Sequence, residues 1–334
     1  MRFLKRLILL LALAGLGFIG LVVAFASRPL PLKSTPLEFE IPPGLSLSAA
    51  SRRMSDAGLG FAPWQFSLLG RVLGRAADIK AGSYLVEQGL TPMGLLDKLT
   101  RGDVTQGELL LVEGRSFRQL RAALDASHDL RHDTAGLSDA ELLAKLQINA
   151  PHPEGLFFPD TYLFPKQSSD LDVLKRAAKA MDRHLTEEWN SRADGLPYRT
   201  PYEALIMASI VEKETGRPSD RPQIAAVFIN RLRTGMLLQT DPTVIYGLGE
   251  RFDGNLRRVD LQTDTPWNTY TRVGLPPTPI AMPGLAALRA ALHPPVSDKF
   301  YFVARGDGTS EFSHSLDEHN RAVYRYQKHK GGNP

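Results

Sequence analysis

The sequence has no cysteine. Disulfides, thiolate metal sites and cysteine nucleophiles are therefore excluded, and an oxidising compartment is tolerated without being demanded. Histidine is sparse, with 8 residues in 334. None stands in an H-E-x-x-H or comparable metal spacing. His314 and His319 lie five apart around Asp317 and read as loop and helix-cap residues. No metal and no cofactor are expected. Phosphate-binding loops are also missing, since GLGE and GDG read as turns rather than as the start of a strand-loop-helix pattern. Nothing around Ser209 marks a nucleophile elbow, which speaks against a serine hydrolase. There is no internal repeat, no low-complexity tract and no basic run with interleaved aromatics. The net charge of +4 is too small to argue for nucleic acid, though it suits a membrane surface or a polyanion.

Long apolar runs are equally scarce, with one exception. MRFLKR carries three cations, and Leu7 to Ala26 follows as 20 residues without a charge. At about 1.5 Å per residue this matches a hydrocarbon core of about 30 Å. Cations before the run keep residues 1–6 cytoplasmic, make 7–26 a transmembrane helix and export the remainder. Ala24-Phe25-Ala26 also fits a signal-peptidase site, but the run exceeds the roughly 7–15 apolar residues of a signal peptide. A retained single-pass anchor is the expectation.

Beyond the span, SRPLPLKSTP (27–36) reads as an extended linker. LEFEI alternates like a strand. A short helix capped by Ser46 or Ser48 ends at Gly58, APWQFSLLGRVLG forms a second, and KAGSYLVEQGLTPMGLLDKLTRGD reads as strand, turn and helix with Thr91-Pro92 as its start. Residues 37–106 are thus a small βααβα unit. From 107 to 330 a larger α+β domain follows. It opens on a strand and helix (ELLLVEGRSFRQLRAAL), passes a helix-prone stretch at 125–150 and a Gly/Pro/aromatic loop (152–165), and continues with helices over 170–192, LIMASIVEKET and RPQIAAVFINRLRTG. After a polar loop region come GLAALRAALHPP, a hairpin turning on GDG, and a last helix. The fold class is α+β.

The chemistry centres on LIMASIVEKETGRPSD, residues 205–220. At about 100° per residue, Glu214 falls roughly 20° from Met207, on the stripe of Ile210 and Val211, whereas Glu212 points roughly 140° away. A carboxyl among aliphatic neighbours has a raised pKa, which a general acid needs. The alternative is that Glu214 lies just past the packed turns and pairs with Arg217 at i+3. Phase alone leaves both open. Glu212 reads as solvated or structural. EGLFFPDTY fits either an aromatic sugar-stacking surface or a packed loop braced by prolines. LQTDPTVIYG gathers Gln239, Thr240, Asp241 and Tyr246, as a turn started by Asp-Pro or as part of a ligand cleft.

LIMASIVEKETG, VFINRLRTGMLLQTDPTVIYGLGE, WNTYTRVGLPPTPIAMPG and ALHPPVSDKFYFVARGDGTSEFSHSLDEHN, in that order, resemble the endolytic murein transglycosylase family. EGLFFPDTY and the N-terminal anchor fit the same pattern. The resemblance implies a LysM-like subdomain at 37–106 and a catalytic domain at 107–330. It implies that Glu214, the glutamate of KET, is the catalytic acid. Such an enzyme is a lyase. It cuts between N-acetylmuramic acid and N-acetylglucosamine in nascent strands, leaves 1,6-anhydro ends, and terminates elongation beside the penicillin-binding synthases. Gln239, Asp241, Tyr246, Asn268 and Tyr270 are candidate cleft residues. The partners implied are peptidoglycan strands and the inner membrane, with the catalytic part periplasmic and no nucleic acid. The rival readings are a non-catalytic peptidoglycan-binding scaffold that recruits synthases, and a hydrolase pairing Glu214 with Asp241.

Overall fold

The computed structural model describes residues 2–328. Met1 of the expected cytoplasmic tail and residues 329–330 of the expected catalytic domain lie outside them. The chain separates into two units. One holds residues 1–108 with the returning segments 129–131 and 163–168; the other holds the remainder.

In the first unit, helix α1 (Arg2–Ser27) contains the whole apolar run, and an 18-residue stretch of it is unburied. This is the single helix, among the described residues, long and apolar enough to cross a membrane. Strand β1 (Leu37–Ile41), helices α2 (Leu47–Ala57) and α3 (Pro63–Val72), strand β2 (Gly82–Val86) and helix α4 (Pro92–Arg101) follow in the expected order. Polar caps set the helix starts: Ser46 accepts from the Ala49 amide and Thr91 from that of Gly94. Gly58 ends α2 in the left-handed region at φ 114°, where a side chain would be strained. β1 and β2 pair antiparallel from Leu37↔Val86 to Ile41↔Gly82. Their inward faces bury Phe39 and Tyr84, stacked 5.7 Å apart, against Met54, Phe66 and Leu95.

Segment 27–36 differs from a free linker. The Leu30 amide donates to the Leu90 carbonyl (2.8 Å), Gly60 to Pro31 (2.8 Å) and Lys33 to Gly58 (3.0 Å). Leu30 is buried in the unit's core. The chain here is extended, as its prolines require, but it is pinned by the amides and carbonyls of the loops it crosses.

The chain continues through β3 (Gln106–Leu110), α5 (Phe117–Asp125), β4 (Leu130–Arg131), α6 (Asp139–Leu146), β5 (Thr161–Pro165) and β6 (Ser168–Ser169). Within the helix-prone stretch 125–150, past the end of α5 at Asp125, helix forms where Ser138 and Glu141 make a capping box. Helices α7 (Asp170–Asn190), α8 (Pro201–Glu214), α9 (Arg221–Thr234), α10 (Asp241–Leu248), α11 (Arg258–Gln262) and α12 (Leu285–Leu292) come next. They precede the hairpin β7 (Tyr301–Ala304) and β8 (Ser310–Ser313) and helix α13 (Leu316–Val323). The Asp-Pro pair at 241–242 does more than turn the chain. Proline near the first helical position and an acidic first turn start α10, which the loop reading lacked.

Helix α8 is the centre of the second unit. Thr200 caps it, accepting from the Glu203 amide at 3.3 Å, and Ala204 to Val211 are buried without interruption. α12, α9, α7 and α10 all pack on it. The helix is therefore apolar all round, and the single stripe inferred from phase does not describe it. Ser209 is spent on structure: its hydroxyl donates to Ile206 and accepts from the Ile280 amide. EGLFFPDTY also turns out to be packed. Phe157 is fully buried and stacked on Phe117, and Phe158 lies against His184, so these rings form no open sugar platform.

Candidate functional site

Because α8 is buried on every side, its last turn delivers two glutamates into the interior, and their partners separate them. The Glu212 side chain is 6% exposed and meets Arg221, itself 9% exposed, at 3.4 Å. It also accepts from the Gly284 amide at 3.0 Å. Burial raises its pKa, while the Gly284 amide and the Arg221 charge oppose the rise. A Cβ at Gly284 would stand 1.8 Å from the Glu113 carboxylate, so any larger residue there would displace that exposed side chain. Glu212 is thus structural rather than solvated.

Glu214 has a different setting. It lies in the wall of a cavity of about 1140 Å³ built by the end of α8, α9, the 238–241 loop and the β7–β8 hairpin. Its Oε2 accepts a 2.6 Å hydrogen bond from the Thr240 hydroxyl. The Arg217 pairing considered from sequence does not form, because that guanidinium donates to the Asp307 carbonyl at 3.4 Å. Desolvation raises the Glu214 pKa. The Thr240 hydroxyl opposes the rise, the charge of Asp241 adds to it, and that of Arg231 offsets it. A desolvated carboxyl held by a neutral donor in a cavity wall has its protonated form favoured and can pass a proton to a ligand.

Thr240 is fixed by its own surroundings. Its amide donates to the Thr269 hydroxyl (3.1 Å), and the Thr243 hydroxyl bridges to Thr269 (2.9 Å) and to the Thr240 carbonyl (2.7 Å). All three threonines are almost completely buried. Gln239, just before them, sits at φ 51°, a left-handed backbone held by its amide's bond to the Thr269 carbonyl. Such strain in a non-glycine residue persists where neighbours over-determine it, commonly at ligand sites.

The five candidates named from sequence divide. Gln239, Asp241 and Tyr270 line the cavity with Glu214, and the Tyr270 hydroxyl donates to Asp241 at 2.5 Å. Tyr246 and Asn268 do not line it. The Tyr246 hydroxyl donates to Glu154 (3.0 Å), a buried carboxyl that desolvation pushes to about 7. Asn268 is fully buried and donates to the carbonyls of Asp260, Leu261 and Thr263, while its own oxygen accepts from the Tyr270 amide. It shapes the loop that presents Tyr270.

Three lining residues had no local signal. Arg231 is buried on α9. Its Nε donates to the Phe300 carbonyl (2.7 Å), its Nη1 to that of Leu238 (2.8 Å), and its guanidinium lies 5.2 Å from the Tyr301 ring centre. His319, read as a loop or cap residue, stacks on the other participant, Tyr301, at 5.3 Å, and burial lowers its pKa. His314 is the one near a helix start, its amide donating to Glu318. Arg231, Tyr301 and His319 lie up to 88 positions apart in sequence and meet only because the hairpin and α13 fold beside α9.

With this geometry in hand, known proteins narrow the possibilities. Residues 39–325 match the YceG-like family. A Bacillus subtilis protein named endolytic murein transglycosylase is 32% identical over 309 residues, covering 87% of this chain and 85% of that one. A Streptococcus pneumoniae protein of the same name is 28% identical over 321 residues, and the match spans 57% of its length. The crystal structure of a YceG-like protein from Listeria monocytogenes superposes with a TM-score of 0.53 at 30% identity, covering 86% of this chain and 99% of the other. The chain belongs to the YceG-like family.

Proposed function

We propose that this protein is a membrane-anchored endolytic peptidoglycan lytic transglycosylase in which Glu214 is the acid and then the base. The observation that carries the reading is the buried Glu214 carboxyl, with its raised pKa, in the wall of a large open cavity. Glu214 protonates the glycosidic oxygen between N-acetylmuramic acid and N-acetylglucosamine. It then takes the proton from the muramic C6 hydroxyl as that oxygen attacks C1, leaving a 1,6-anhydro end. The attacking group is already attached to the sugar, so its proximity replaces a protein nucleophile or a bound water. One carboxyl is then enough, where ordinary glycosidases use two. Gln239, Asp241 and Tyr270 bind the strand along the cavity. The names of the relatives support this chemistry.

The anchor crosses the inner membrane with its N-terminus cytoplasmic, following the cations that precede it. The catalytic part is then periplasmic, close to newly made glycan, and strand termination occurs beside penicillin-binding synthases. Residues 37–106 serve as a LysM-like glycan-binding module. A second reading, a hydrolase, draws on Asp241, which lines the same cavity.

Mass spectrometry of products from purified peptidoglycan tests the proposal. Wild-type protein is expected to release anhydro-ended fragments and Glu214→Gln none. Fragments heavier by one water would establish the hydrolase. Undiminished cutting by the variant would remove Glu214 from the acid role. A wild type that cuts nothing yet sediments with sacculi would favour the scaffold.

A further inference from the structure

Helix α1 does not end in free chain; it is built into the first unit. Ala26 is buried there, Val22 and Phe25 pack on the same core, and α1 lies against α3 and α4. The last charge before the apolar run is Arg6, so the run's outer edge falls near Ala26. Val22 is then roughly 6 Å inside the hydrocarbon, at about 1.5 Å per residue. A folded unit that reaches Val22 must itself extend into the headgroup layer, which is roughly 5–7 Å deep on each side.

Hydrogen bonds identify which end of the unit this is. Leu30 is tied to Leu90, and Pro31 to Gly60, within five residues of the end of α1. Met93 is three residues beyond Leu90 and Trp64 four beyond Gly60, hence within about 11 and 14 Å of those points. They begin α4 and α3 and are large apolar side chains left in the open, Trp64 65% and Met93 36% exposed. Tryptophan is the side chain best suited to a boundary that is wet on one side and apolar on the other. Beside Trp64, a groove of about 540 Å³ carries Arg52 and Arg71. Arg71 donates to Ser48 at 2.9 Å, which leaves further guanidinium donors for an anion.

We propose that the first unit is seated on the bilayer, with Trp64 and Met93 in the headgroup layer and the Arg52–Arg71 groove facing anionic phospholipid headgroups. The anchor then fixes orientation as well as proximity. The span and the folded unit move as one piece, because no slack chain separates them.

The cysteine-free sequence makes the test clean. Full-length protein bearing Met93→Cys or, as the reference, Arg101→Cys at the opposite end of α4 is labelled with a nitroxide and reconstituted in phosphatidylglycerol-containing vesicles. Collision with oxygen, which partitions into lipid, is compared with collision with a water-soluble nickel complex. The oxygen-to-nickel ratio at 93 should exceed that at 101 several-fold. Equal, water-like ratios overturn the proposal. In parallel, tryptophan emission of unlabelled wild type is compared with Trp64→Phe in vesicles of brominated lipid. The wild type should lose a component of emission that the variant lacks, and no difference between them overturns the seat for Trp64. That loss should be greater in anionic than in zwitterionic vesicles, and the excess should vanish in Arg52→Gln/Arg71→Gln. Equal quenching in both lipids removes the arginine groove from the contact and leaves it open to a soluble glycan.

Discussion

Replacing Glu214 with glutamine should make the protein more stable while ending its chemistry. Glutamine has the shape of protonated glutamate, still accepts the 2.6 Å bond from Thr240, and carries no charge into the cavity wall. Burial raises the native carboxyl's pKa, with the nearby Asp241 adding to the effect. The sign follows from linkage. A carboxyl whose folded pKa exceeds the unfolded value of about 4.3 contributes most below that value and loses its contribution as pH rises through the folded pKa. Above the folded pKa the charged side chain is a cost, and the variant escapes it. The gain at pH 8 should be on the order of 1 kcal/mol, within the usual range for relieving an active-site group. For a unit of this size that corresponds to roughly 2–4 °C in Tm. Thermal unfolding of both proteins across pH 4–8 is the assay. The advantage should be present at pH 8 and shrink on acidification, disappearing once the native glutamate is protonated in both states. A variant less stable than wild type at pH 8, or an advantage independent of pH, would refute the desolvated-carboxyl account.

Other perturbations separate the neighbours of this group. Glu212→Ala strands the buried Arg221 and the Gly284 amide, and should cost about 3–5 kcal/mol in chemical denaturation, whereas Glu212→Gln keeps the amide bonded and should retain most cutting activity. Thr240→Val removes the donor that opposes the raised pKa of Glu214, so the alkaline limb of kcat/KM, set by loss of the acid's proton, should move to higher pH. A downward shift would contradict the role given to that hydroxyl. A soluble fragment starting at residue 36 lacks the buried Leu30 and the bonds of 30–33. Its first unit should unfold about 2–3 kcal/mol more easily than that of a fragment starting at 28. Equal stability would show that segment to be a free linker after all.

Much of this protein follows from its sequence alone, where the determining interactions are local. An uncharged run of 20 residues, Thr91 as a cap, Gly58 as a stop and the GDG hairpin turn depend on neighbours a few positions away and are found as read. Of Ser46 and Ser48 it is Ser46 that caps α2. Asp241-Pro242 shows the limit of that logic, since the same pair suits a turn or a helix start, and here it starts α10, which packs on α8. The two glutamates show it more sharply. Helical phase marked Glu214 by assuming that α8 has one buried face. Tertiary packing buries every face, so phase ceases to discriminate, and both carboxyls carry raised pKa values. What distinguishes them lies far along the chain: Arg221 and Gly284 at Glu212, Thr240 and an open cavity at Glu214. Likewise Arg231, Tyr301 and His319 share a cavity wall only through the fold, and the residues after the span become a fixed collar only when Leu90 and Gly60 arrive beside them. Sequence determined the apolar run and most of the helices and strands, because those depend on backbone geometry and nearest neighbours. Tertiary structure alone decided which carboxyl is tied to a buried arginine and which faces an open cavity, because partners and solvent access are properties of the assembled core.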